Sequence, residues 1–140
     1  MTIRRAKLTD FRQLARLDHV ARLDKERKAW LRQAIRERSA WVLEVGRAIN
    51  AYGILRRNFF HRPFIEMLYV TAGERRRGYG ERLLAHLEAT GLRHGEVWAS
   101  TNQSNRAMRQ LLKKRGFRQS GRVTGLDKGD PEIFYVKLAR

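Results

Sequence analysis

The spacing of apolar positions changes several times along the chain, and each change marks an element. Ile3 to Lys7 reads as a short first strand. From Phe11 the spacing turns helical, with Phe11, Leu14, Ala15, Leu17 and Ala21 on one stripe and Thr9 or Asp10 placed to cap it. Trp30, Leu31, Ala34 and Ile35 form a second stripe with Arg and Glu opposite, which predicts a second helix. Trp41 to Val45 reads as a strand, Gly46 to Asn50 as a turn, and Ala51 to Leu55 as the hairpin partner. Pro63 opens a further strand, Phe64 to Val70. A basic glycine loop follows, then a helix carrying Leu83, Leu84 and Leu87 that ends near Gly91. Glu96 to Ser100 is a short strand. Ser104 or Asn105 caps a helix with Met108, Leu111 and Leu112 that stops at Gly116, and strands Phe117 to Val123 and Ile133 to Leu138 close the chain. The order β-αα-βββ-α-β-α-ββ predicts an α/β chain (α+β, a mixed sheet) with helices packed on the sheet. Trp30, Trp41 and Trp98 are expected in the core.

Composition adds bounds. The chain has 140 residues, 42% of them hydrophobic, which suffices for one core, and no repeat or linker divides it, so a single domain over 1–140 is expected. No apolar run approaches the ~18–20 residues that span a bilayer, and the first residues lack an apolar signal core, so a soluble cytoplasmic protein without membrane contact is expected. Cysteine is absent, which excludes disulfides, thiolate metal sites and a cysteine nucleophile. His19, His61, His86 and His94 are scattered without ligand spacing, so no metal is expected. Lys and Arg number 31 against 14 Asp and Glu, a formal net charge of +17 distributed from Arg4 to Arg140. Such a surface attracts polyanions (nucleic acid, the ribosome, a phosphate-rich cofactor), and the same balance also describes an ordinary solvated basic surface.

The most informative stretch runs from Val70 to Leu84: strand, basic glycine loop, helix. Unpaired N–H groups and the helix dipole favour an anion at such a helix start. Glycines let main chain approach a phosphate, and arginines add bidentate donors. The dinucleotide fingerprint needs three glycines and the Walker loop Gly-Lys-Ser/Thr; neither is present. Arg75-Arg76-Arg77-Gly78-Tyr79-Gly80 instead matches Arg/Gln-x-x-Gly-x-Gly/Ala. That pattern resembles the acetyl-CoA pyrophosphate loop of the GNAT superfamily of N-acetyltransferases. Asn105 to Phe117 resembles the family's second signature, Asn-x-x-Ala-x-x-Leu-Tyr-x-Lys-x-Gly-Phe, and Ile3 to Asp10 its first strand and helix cap. The likeness covers essentially the whole chain in the family's order. It implies an enzyme that uses acetyl-CoA as co-substrate. Leu68, Tyr69 and Val70 would meet pantetheine, Arg75, Arg76, Arg77, Gly78, Tyr79 and Gly80 the pyrophosphate, and Asn105 the cofactor near its thioester end. The strand before the loop splays from the next in this family, and dimers are common in it, so a monomer or homodimer is expected.

The implied reaction needs a deprotonated amine and a polarised thioester carbonyl. Main-chain N–H near Val70 would polarise the carbonyl. Without cysteine a thioester on the enzyme is closed, and direct attack by the amine is favoured. Leu112 stands where the family's proton-donating tyrosine lies, and Ser100 where the subgroup acetylating ribosomal-protein N-termini has a glutamate. Glu66 is the remaining candidate base: alternation puts it on one face with Leu68 and Val70, and its apolar neighbours would raise its pKa. The plain alternative is a solvated carboxylate or an arginine's partner. Tyr69, Tyr79 and Tyr135 are the phenols available as acids, each also an ordinary packing residue.

Ser100, Thr101, Asn102 and Ser104 form a polar cluster past the short strand. The Gly121 to Glu132 segment places Asp127, Asp130 and Glu132 in a Gly/Pro loop on an otherwise basic chain, and it resembles a bacterial GNAT subgroup ending in Leu-Asp-x-Gly-Asp-Pro-Glu. Ser100, Asn102, Asp130 and Glu132 are therefore candidate acceptor residues, receiving a cationic small-molecule or protein amine; turn chemistry is the alternative for the acidic loop. A rival function is a basic nucleic-acid- or ribosome-binding module on a GNAT scaffold with little catalysis. Against it stands the lack of interleaved aromatic and basic residues typical of RNA-binding sheets.

Overall fold

A computed structural model of the chain describes residues 1–18, 24–71 and 77–140. Among them are seven strands and four α-helices in the expected order. These are β1 (Thr2–Arg5), α1 (Phe11–Leu17), α2 (Lys25–Arg36), β2 (Ala40–Val45), β3 (Ala48–Phe59), β4 (Arg62–Val70), α3 (Tyr79–Leu92), β5 (Glu96–Asn102), α4 (Arg106–Lys114), β6 (Arg118–Val123) and β7 (Glu132–Leu138), with a 3-10 turn, Leu8–Asp10, before α1. The strands form one mixed sheet in the order β1-β2-β3-β4-β5-β7-β6. The pairs β1/β2, β2/β3, β5/β7 and β6/β7 are antiparallel, and β4/β5 is parallel because α3 carries the chain across. No described helix is long and apolar enough to cross a membrane.

Several boundaries differ from the sequence reading for local reasons. β3 runs on to Phe59, through Arg56-Arg57-Asn58, where polar side chains hide the strand from a hydrophobic pattern. The turn before it is Gly46-Arg47 alone, with Gly46 at φ +63°. Phe60 and His61 turn the chain into β4 with φ of +52° and +66°, a left-handed pair that carries no Gly or Asn signal. Gly91 does not end its helix: it is buried inside α3. Asn105, not Ser104, caps α4, its Oδ1 accepting from the N–H of Met108 at 3.1 Å. Ala21, the last member of the first stripe, lies outside the described residues.

The chain divides into two compact units, Met1–Leu55 with Met67–His86, and Arg56–Glu66 with Leu87–Arg140. The first is built on Leu14, Leu31, Ala34, Ile35, Val42, Ile49, Tyr52 and Ile54, with Phe11, Leu17, Trp30, Met67 and Tyr69 packed against them. Each fully buried Leu or Ile contributes about 1.5–3 kcal/mol. Arg4 fastens the entry to α1: it binds both oxygens of Asp10 (2.9 and 3.1 Å) and reaches Glu44 at 3.2 Å. The hydrogen bonds from Arg4 hold the Asp10 carboxyl below its ordinary pKa.

In the second unit β5 alternates buried and half-buried positions, Val97 and Ala99 inward and Trp98 and Ser100 outward. Trp98 thus stands away from the buried side chains, in a half-buried aromatic group around Phe59, with ring centres 4.9 Å (Phe64), 5.2 Å (Trp98) and 5.6 Å (Phe134) away. Trp41 is also half-buried, edge-on to His86 at 4.5 Å and under Arg5. Trp41 and Trp98 thus depart from the core placement expected of them, whereas Trp30, half-buried, packs against the first unit's core.

Candidate active site

The strand-loop-helix segment is built as the glycine pattern predicts at its described ends. Arg75 and Arg76 lie outside the described residues; Arg77 is exposed just before α3. Gly78 has φ +80°, and its carbonyl accepts from the N–H of Arg82 at 3.1 Å, so α3 starts from a left-handed residue. Gly80 touches β4: a Cβ there would stand 3.2 Å from Cγ2 of Val70. The first N–H groups of α3, from Tyr79 on, have no carbonyl one turn earlier in the helix to bind. On the strand side, Thr71 N–H donates to Asn50 O at 3.0 Å, while the buried Thr71 Oγ1 has no hydrogen-bond partner among the described residues. A buried hydroxyl without a partner is costly unless a ligand or water meets it. A left-handed glycine, a second glycine in contact with the strand and an unmet hydroxyl fit a phosphate-bearing cofactor along this segment.

The face alternation of β4 is as expected. Met67 and Tyr69 pack on the first unit's core, and the Tyr69 hydroxyl donates to Leu17 O at 3.0 Å. Leu68 and Val70 alternate to the other face. Glu66 is half-buried and accepts from Arg56 at 3.0 Å. The parallel ladder of the second unit pairs Phe64 with Trp98 and Ile65 with Ala99, and both strands run on past it. Leu112 is fully buried core, consistent with a side chain that takes no part in proton transfer.

Ser100 and Asn102 lie within β5, not past it, and with Ser104 they meet the acidic residues of the second unit. Ser100 donates to Glu132 Oε2 at 2.7 Å, and Asn102 to Asp127 Oδ2 at 2.8 Å and to Asp130 O at 3.3 Å. Both oxygens of Asp130 are taken by Ser104, through its N–H (3.0 Å) and its hydroxyl (2.6 Å). Asp130 therefore pins the start of α4 to the loop before β7. Glu132 is not in that loop, as the sequence suggested, but begins β7 opposite Asn102. Tyr135 is buried, and its hydroxyl accepts from Arg109 at 3.3 Å.

One feature of the first unit escaped the sequence reading. Asp18 is completely buried after α1, where it accepts from Arg27 at 2.8 Å and from the Tyr52 hydroxyl. Burial, then the hydrogen bond to Asp18, pushes the Tyr52 phenol well above its ordinary pKa. The signal was present: Asp18 falls four residues after Leu14 and seven after Phe11, on the buried stripe of α1.

The parallel pair β4/β5 is thus joined through the Gly78 turn and α3 within one mixed sheet. Residues 8–117 match the model of the acetyltransferase (GNAT) family. The chain belongs to the GNAT acetyltransferase family and is an acetyltransferase. A comparison with curated proteins gives no match. Among solved structures it is similar to a GNAT-family acetyltransferase from Bacillus cereus, at 27% identity and TM-score 0.89, over 98% of this chain and 96% of that one. It is also similar to ribosomal-protein-alanine N-acetyltransferase from Brucella melitensis (21% identity, TM-score 0.80, 99% and 100% covered). The fold is shared as well with yncA from Salmonella typhimurium, solved with its cofactor acetyl-CoA (19% identity, TM-score 0.76, 98% and 92% covered).

Proposed function

We propose that the chain, as one acetyltransferase domain over 1–140, moves an acetyl group from acetyl-CoA to a primary amine by direct attack. The observation that carries this is the junction of β4 and α3, where Gly80 touches Val70 and Gly78 takes a left-handed turn. Main-chain groups of Leu68, Tyr69 and Val70 would run along the pantetheine arm, since the Tyr69 phenol is already committed to Leu17. The N–H groups of Gly78, Tyr79 and Gly80, with Arg75, Arg76 and Arg77, would hold the pyrophosphate. Among the described residues the Asn105 side chain uses its Oδ1 for the cap of α4, and its amide NH2 would serve a ligand. Bound acetyl-CoA supplies an activated acetyl group, and the N–H near Val70 would polarise its carbonyl.

Glu66 is the proposed base. Its Oε1 accepts from Arg56 at 3.0 Å, which holds the carboxylate in place to take a proton from an ammonium acceptor. Glu132 is the carboxylate best placed to attract that acceptor, because Ser100 occupies only its Oε2. A cationic small molecule, an amino acid and a protein amine all suit such a site.

Binding tests the reading first. A Cβ at Gly78 meets nothing within 4 Å, so Gly78→Ala and Gly78→Glu share one backbone strain of about 1–2 kcal/mol and no clash. The Glu carboxylate would add repulsion toward a pyrophosphate. At ~6 Å and an effective dielectric near 40 this is about 1.4 kcal/mol per phosphate charge, or about a hundredfold in Kd for two charges. Calorimetric titration of acetyl-CoA should therefore show near-normal affinity for Gly78→Ala and a large loss for Gly78→Glu. Absence of binding by folded wild-type protein would overturn the proposal.

A further inference from the structure

The ion pairs leave the surplus charge unevenly placed. Among the described residues, carboxylates pair with Arg4, Arg27, Arg56, Arg62, Arg115 and Lys137. In the first unit, a groove of about 470 Å³ along α1 and α2 is lined by Phe11, Arg12, Ala15, Arg16, Lys28 and Arg32, four cations and no acid. Arg12 and Arg16 are one turn apart on α1, as are Lys28 and Arg32 on α2, which spaces each pair about 6 Å along its helix. Like charges at this spacing repel, so the rows disfavour their own helices unless an anion meets them. Among the described residues Arg12, Arg16 and Lys28 form no ion pair, and Arg32 lies over the Phe11 ring at 4.3 Å. Of the carboxylates nearby in sequence, Asp10 and Asp18 pair with Arg4 and Arg27, Asp24 caps α2, Glu37 accepts from Gln33, and Glu26 does not line the groove.

We infer that this groove binds the phosphate backbone of a nucleic-acid duplex. The walls are sides of helices, whose N–H groups are used internally, so an isolated phosphate finds no main-chain cradle here. A single strand would need open aromatic faces for its bases, and the one aromatic ring in the groove is covered by Arg32. A membrane surface would need apolar side chains on the rim, but the exposed large ones (Met1, Leu8, Phe60, Val123, Leu126, Leu138) line none of it. Paired rows of cations at a regular interval suit the regularly repeating charge of a duplex backbone. This surface is independent of acetyl transfer, and its test uses no cofactor.

Fluorescence anisotropy of labelled RNA and DNA duplexes of one sequence, read across a salt series, tests it. About four phosphate contacts predict a slope of log affinity against log salt of about −3 to −4. The pair Arg12→Glu with Arg16→Glu should lower the slope by about 2 and the affinity tenfold or more at about 0.1 M salt. The pair Arg93→Glu with Arg122→Glu, exposed cations of the other unit, changes net charge equally and should cost less than about threefold. Arg12→Gln with Arg16→Gln should reproduce the lost slope, and it decides the matter if the Glu pair does not fold. Equal losses in the two Glu pairs, no duplex binding by the wild type, or equally tight binding of polyglutamate would each overturn the assignment.

Discussion

Replacing Gly91 by alanine sets helix propensity against packing. Alanine is favoured over glycine in a helix by up to about 1 kcal/mol, less here because Gly91 is next to the end of α3. An added Cβ, however, would stand 2.7 Å from Cγ2 and 2.9 Å from Cβ of Val97, and 3.4 Å from Cβ of Pro63. Unstrained carbon contacts need about 3.5–4.0 Å, so helix and strand must part by about 1 Å. Neither neighbour yields readily: Val97 is fully buried and held in register opposite Lys137, and Pro63 is rigid and buried. Overpacking of this kind costs about 1–3 kcal/mol. Packing wins. The expected net loss is about 1–2 kcal/mol, a fall in Tm of about 3–7 °C for a chain of this size. Thermal unfolding followed by circular dichroism measures it. The double variant with Val97→Ala should lose at least about 1 kcal/mol less than the sum of the single losses. An alanine variant that melts at or above the wild type would refute the close approach of α3 to β5.

Two further outcomes follow from the buried groups. Glu66→Gln should leave acetyl-CoA affinity unchanged and reduce turnover by about 10²–10⁴-fold, measured as CoA thiol release in the presence of amine acceptors across pH; unchanged turnover at every pH removes Glu66 from the base role. Tyr52 must stay neutral in the folded chain, whereas an unfolded phenol ionises near pH 10. Its raised pKa therefore contributes stability that is fully present below pH 10 and lost above it, by up to about 1.4 kcal/mol per pH unit. Tyr52→Phe should be less stable at neutral pH, by about 1–2 kcal/mol for the lost hydrogen bond to Asp18, and should decline less steeply above pH 10. Urea unfolding at several pH values separates the two effects, and parallel curves for both proteins count against the buried phenol.

The element order and the place of the glycine turn before α3 were legible in the sequence. Both rest on local physics: a stripe such as Trp30, Leu31, Ala34 and Ile35 can only bury itself as a helix, and Gly78 can take φ +80° because it lacks a Cβ. Tertiary structure decided what depends on residues far apart in the chain. Gly91 reads locally as a helix stop, yet it is buried inside α3 because Val97 leaves no room for a side chain. Asp130 reads as turn chemistry, and only the fold shows both its oxygens bound to Ser104, 26 residues away. Asp18 and Tyr52, 34 residues apart, look unrelated until α1 and β3 enclose them. Arg56 reads as one more surface cation, but strand pairing sets it against Glu66. Propensity and periodicity act over a few residues, whereas partners for buried charge are assigned by the packing of the sheet.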